Sequence, residues 1–123
     1  MADKRALGAA GEEAAARFLK RGGFRILARN LRFGRTGELD IVAREGGTLV
    51  FVEVKARTAG ETIGGLENIT VAKQRKLWEL AALYLRQYGG GQEAVRFDAV
   101  EVVFPDERLR QPTFHHIRDA FRG

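Results

Sequence analysis

Two kinds of hydrophobic period alternate along the chain. Between Lys4 and Arg21, the residues Leu7, Gly11, Ala14 and Phe18 recur at three- and four-residue steps, which lines them up on one side of a helix. Asp3 is placed to cap its first turn and Gly22 to end it. Residues 24–31, 38–44 and 48–57 then read as extended segments. A loop over 58–69 leads to an amphipathic helix at Val71–Tyr88, with Leu77, Leu80, Ala81 and Tyr84 on its inward stripe. A β-branched strand follows over 95–104, stopped by Pro105-Asp106. Residues 113–121 fit either a short strand or a helical turn. Glycine runs starting at Gly22, Gly46, Gly64 and Gly89 separate the periodic stretches. The order α-β-β-β-α-β predicts an α/β protein, a mixed central sheet flanked by helices, with residues 1–123 forming one domain.

The pattern also places chemistry. Gly46-Gly47 is a favoured two-residue hairpin loop, because both positions tolerate positive φ. A turn there pairs Arg44 with Leu49, Val42 with Phe51, Asp40 with Glu53 and Glu38 with Lys55. Strand alternation then brings Asp40, Glu53 and Lys55 out on one face, with Leu39, Ile41, Val52 and Val54 on the apolar side. Opposed carboxylates roughly 5 Å apart repel each other. A hard cation such as Mg2+ (or Mn2+), bound by Asp40 and Glu53, would offset that repulsion, and Lys55 would hold or polarise a water. This is equipment for phosphodiester hydrolysis. The competing reading is a solvated polar face on which Glu38–Lys55 is an ordinary cross-strand salt bridge. A one-residue register slip would put Asp40 and Glu53 on opposite faces.

Composition narrows the field further. Cysteine and serine are both absent, which removes disulfides, thiolate ligands and both of those nucleophiles. His115 and His116 are adjacent, so their rings point apart in an extended segment. No run approaches the roughly 18 apolar residues of a membrane helix and no apolar signal opens the chain, so the expected compartment is the cytoplasm. The net charge of +5 is unevenly spread: residues 1–36 carry nine cations against three acids. The arginine fork grips phosphate oxygens in pairs, so Arg17, Arg21, Arg25, Arg29, Arg32 and Arg35 are expected to track a nucleic-acid backbone. Arg57, on the face of Lys55, is a further phosphate candidate. Lys73 lies on the inward side of its helix, where it would meet a phosphate or the acidic cluster, or snorkel outward. Trp78, Tyr84 and Tyr88 read as core or helix edge, and Asp98 as a structural hydrogen-bonding residue.

Several segments resemble known proteins. Glu38-Leu39-Asp40, followed after the hairpin by Glu53-Val54-Lys55, resembles the PD-(D/E)xK nuclease signature, with Leu39 where the signature has proline. The chain is also similar to the YraN family of small bacterial proteins through Gly8-Ala9-Ala10-Gly11-Glu12, Leu27-Ala28-Arg29-Asn30, Gly37-Glu38-Leu39-Asp40, the run from Phe51 to Arg57, and Arg96-Phe97-Asp98. The nuclease resemblance implies a restriction-endonuclease-like three-layer core and Mg2+-dependent cleavage of nucleic acid, DNA in particular, branched or otherwise structured. Resolvase-like enzymes often act as dimers, so it also implies a homodimer as one arrangement. It further implies a first-helix glutamate at the site. On the helical wheel Glu12 lies roughly 100° from the stripe centre and Glu13 roughly 160°, so Glu12 joins Asp40 and Glu53 as metal ligand. The alternative is a non-catalytic nucleic-acid-binding module with the same fold.

Overall fold

Helix α1 (Lys4–Arg21) starts where the sequence caps it, the Asp3 carboxylate accepting from the Ala6 N–H at 2.7 Å. The computed structural model describes residues 3–61, 69–89 and 93–122. After α1 come β1 (Arg25–Phe33), β2 (Gly37–Glu45), β3 (Thr48–Thr58), α2 (Val71–Tyr88), β4 (Ala94–Phe104) and β5 (Thr113–Ile117). The strands form one sheet in the order β1-β2-β3-β4-β5. Only β3 and β4 pair in parallel, because α2 intervenes as a crossover; the other neighbours are antiparallel. The ambiguous tail is therefore a fifth strand. Gly64-Gly65 and Gly90-Gly91 fall outside the described residues.

Each helix covers one face of the sheet, which makes three layers. Ala15, Ala16 and Leu19 of α1 pack with Ile41, Ala43, Val50, Val52 and Val100. Leu77, Leu80, Ala81 and Tyr84 of α2 pack with Val42, Leu49, Phe51 and Phe97 on the other side. Tyr84 is core and Trp78 packs at its edge, as expected, while Tyr88 is exposed.

The seat of α1 differs from the expected stripe. Gly11, Ala15, Ala16 and Leu19 are its buried residues, whereas Leu7, Ala14 and Phe18 are only partly covered. The cause is a close approach: a Cβ added at Gly11 would lie 2.5 Å from the Ala56 Cβ of β3. Small residues there let the helix roll towards Ala15, and this carries Glu12 inward. Gly11→Ala should therefore destabilise by about 1–3 kcal/mol by overpacking, despite a gain of up to about 1 kcal/mol in helix propensity. Urea unfolding checks this, and adding Ala56→Gly should recover most of the loss.

The hairpin turns at Gly46-Gly47 with Gly46 at φ +58, and the ladder runs from Glu45↔Thr48 to Ile41↔Val52 in the expected register. There the pairing ends. Leu39 does not join Ile41 on the α1 side; it packs with Val42 in the α2 layer, which strict alternation forbids for residues three apart. Opposite them on β1, Ala28 and Leu31 also share that layer. Both strands switch face at the intervening residues, Asn30 and Asp40. Asn30 carries the change with φ +51, a left-handed conformation that Asn tolerates better than most residues.

A second polar cluster joins β4, β5 and the Glu45 end of β2. Asp98, fully buried on β4, accepts from Arg96 Nε at 2.8 Å, from the Asp119 N–H at 3.0 Å, and meets His116 Nε2 at 2.9 Å. Glu45 accepts from Arg96 and Arg118. These bonds tie β5 and the following turn to the sheet, the structural role expected of Asp98. Burial alone would raise the Asp98 pKa, but its bonds from His116, Arg96 and the Asp119 N–H pull it down to about 2. Arg118 and Arg96 pull Glu45 to about 2 as well. Both folded values lie below the ordinary 3.8 and 4.5, so this stabilisation is complete above that range and is lost as pH falls through it towards 2. Urea midpoints should thus drop between about pH 5 and pH 3, and less steeply in Glu45→Gln.

Between β4 and β5 the chain passes through Leu109 at φ +56 and Gln111 at φ +53. Such a conformation costs a non-glycine residue roughly 1–2 kcal/mol. The packing of Leu109 against the α1-side core holds the loop in place.

Candidate metal centre and active site

Beyond Ile41↔Val52 the β2 backbone leaves the ladder, and the Asp40 carboxylate takes its place, accepting from the Val54 N–H at 2.9 Å. Asp40 is thereby held beside Glu53, close enough for the two carboxyl groups to share a proton. Burial, the Glu53 charge and that shared hydrogen bond push the Asp40 carboxyl up to about 8, against a smaller pull from the Val54 N–H. The fold therefore favours the protonated form of Asp40 more than water does.

Glu53 is 5% exposed, and its Oε2 lies 3.3 Å from Lys73 Nζ, which reaches in from the first turn of α2. Glu12 enters from the opposite layer. Its pKa is raised, first by burial and further by the charges of Glu38 and Glu53, while a hydrogen bond with Asn30 and the Arg29 charge oppose the rise. One oxygen each from Glu12, Glu38 and Asp40 lies within 4.8 Å of the others. The site thus forms where β2 and β3 part, with α1 on one side and α2 on the other.

Of the residues expected from sequence, Glu12, Asp40 and Glu53 interact. Glu38 was expected opposite Lys55, but the ladder stops short of them. Glu38 instead joins the carboxylates and lies 3.6 Å from Arg32. Lys55, two residues beyond Glu53 on β3, is exposed and forms no ion pair with a described residue. Lys73 is engaged by Glu53 and Arg57 by Glu101 at 3.1 Å. Arg17 and Arg29 gather on Glu13, while Arg21, Arg25 and Arg35 are exposed. Sequence reasoning missed Glu38 as a member of the acidic group and Asn30 as its hinge. An asparagine, which tolerates positive φ, inside a segment that reads as a strand was the available signal for the second.

The donor set suits a hard divalent ion. It is all oxygen, it comes from α1 and β2, and Asp40 within it is raised first by burial and then by the neighbouring charges of Glu53 and Glu12. Among the described residues no helix is long and apolar enough to cross a membrane.

Comparison with known proteins gives the family. The Uncharacterised protein family UPF0102 matches residues 11–102. A UPF0102 protein of Symbiobacterium thermophilum is 52% identical over 116 residues, covering 90% of this chain and 98% of the relative. Relatives from Pelotomaculum thermopropionicum and Rhodococcus jostii are 47% and 45% identical, each over 98% of this chain and 100% of their own. The site lies inside the matched span, and the chain belongs to the UPF0102 family, the YraN family its motifs resemble.

Proposed function

We propose that this protein is a metal-dependent nuclease that hydrolyses phosphodiester bonds in nucleic acid, with DNA, branched or structured DNA included, as the substrate class. The observation that carries the reading is the convergence of Glu12, Glu38 and Asp40, with Glu53 bonded to Asp40, at the point where two strands part. Four acids in one place are destabilising by themselves, which favours a built cation site over a solvated face. Glu12, Glu38 and Asp40 would hold Mg2+ or Mn2+, and Glu53 would hold Asp40. When bound, such an ion stabilises charge on the phosphate and acidifies a water. Lys55, unpaired by described acids, is free to meet an incoming phosphate. Lys73 keeps the buried Glu53 charge balanced. The exposed arginines of α1 and β1 supply sequence-independent grip on the backbone.

The test is cleavage of linear, single-stranded, flapped and four-way DNA, and of RNA, with Mg2+ or Mn2+. Wild type is compared with Lys55→Ala so that contaminating nuclease is recognised. Cleavage that falls at least a hundredfold in the variant supports the proposal. Binding with steep salt dependence but no metal-dependent cutting, unchanged by Asp40→Asn, would favour a non-catalytic binding module instead.

A further inference from the structure

On the far flank of α1 from Glu12 lies a groove of about 420 Å3, between the helix and the β4–β5 connection. Ala14, Phe104, Leu109 and Phe114 contribute apolar lining, with Phe114 stacked on Phe18 at 4.4 Å. Arg17, Arg21 and Arg110 line the same groove. Among the described residues lining it only Glu13 is acidic, and Glu13 is already shared by Arg17 and Arg29. Glu13 makes its ion pairs with Arg17 and Arg29 and none with Arg21 or Arg110, and the charge of Arg110 also acts on Asp106 in the preceding turn. Ala10, Ala14, Arg17 and Arg21 make one helical stripe, and Glu12 lies roughly 170° around the helix from it. The groove and the carboxylate site are therefore separate.

The loop opposite the helix is held in an unusual shape. Leu109 and Gln111 both adopt left-handed backbone, one on each side of Arg110. Leu109 points into the core while Arg110 stays exposed at the groove. Strained backbone that packing over-determines is found where a side chain must be presented in one place. Here that place is beside two other arginines. Three guanidinium groups line one groove with an apolar floor and a single acidic residue, which suits an anion with a flat apolar part.

We infer that this groove binds a single-stranded segment of nucleic acid, with phosphates on Arg17, Arg21 and Arg110 and a base over the Leu109–Phe114 floor. The inference rests on the nucleic-acid reading above but not on its chemistry. The groove size suits a nucleotide-scale ligand, and base–aromatic contact with a basic rim is how unpaired strands are held without sequence preference.

The experiment is fluorescence anisotropy in EDTA, using a fluorescein-labelled oligothymidylate about 12 nucleotides long. Wild type is compared with Arg110→Ala, Arg21→Ala and, as control, Arg86→Ala on the exposed end of α2. Exposed arginine substitutions should leave the fold intact, which circular dichroism verifies. Arg110→Ala and Arg21→Ala should each weaken binding about fivefold at low salt and reduce the log–log salt slope by about 0.7, with Arg86→Ala unchanged. Wild-type affinity in both groove variants overturns the inference. So does competition by polyglutamate as effective as that of unlabelled oligonucleotide, which would point to an acidic protein partner. A protein that binds through Arg110 but never cuts would uphold the groove and overturn the nuclease.

Discussion

Asp40→Asn should abolish metal-dependent cleavage while making the metal-free protein more stable. The first effect follows from removing a charged ligand at the centre of the acidic group, where several kcal/mol of charge stabilisation corresponds to at least a hundredfold to thousandfold in rate. The second follows from electrostatics. The Asp40 carboxyl is raised from the ordinary 3.8 to about 8 by burial and by Glu53, so the fold favours its protonated form. That contribution to stability is present below the ordinary value and is lost as pH rises through about 8. Asparagine can accept from the Val54 N–H and donate to Glu53 without any charge, so in EDTA above pH 8 it should gain on the order of 2 kcal/mol. Saturating Mn2+ should reverse the order, stabilising wild type by mass action and leaving Asp40→Asn nearly unmoved. Thermal melts with and without the ion check this. Equal melts for the two proteins in EDTA, or equal response to Mn2+, would remove the basis for a metal site.

Asp98→Ala should cost the protein about 3–5 kcal/mol, the usual result of removing one partner from a buried charge pair. The alanine would leave Arg96, His116 and the Asp119 N–H without their common acceptor, and β5 without its tie to β4. For a chain of this size that is a fall in Tm of roughly 10–20 °C. Calorimetry and urea titration read it directly. Because Asp98 lies on β4, separated from β2 by β3, and shares no partner with Asp40, residual folded Asp98→Ala protein should keep its Mn2+ affinity. Loss of metal binding in step with Asp98 would show that the two clusters are coupled.

Local signals carried much of this structure. The Asp3 cap, the helix ends at Gly22 and Gly89, and the Gly46-Gly47 turn depend on contacts within a few residues, and each is legible in the chain. The hairpin register followed from the turn as far as Ile41↔Val52; Asp40 and Glu53 still come together, although their backbones do not pair. Strand ends were less legible: β1 runs to Phe33 and β5 emerges from a segment that fitted two conformations. Their extent is decided by neighbouring strands.

The site needed more than that. Its pair of acids and the basic arginines are written in the sequence, because alternation and charge density are local properties. Their company is not. Glu12 reaches the carboxylates only because Gly11 lets α1 press on Ala56. Glu38 joins them only because β1 and β2 switch face together at Asn30 and Asp40. Lys73 finds Glu53 only because the parallel crossover lays α2 on that face of the sheet. Each of these is a contact between segments distant in the chain, decided by how closely surfaces pack, and periodicity along one segment carries no information about it.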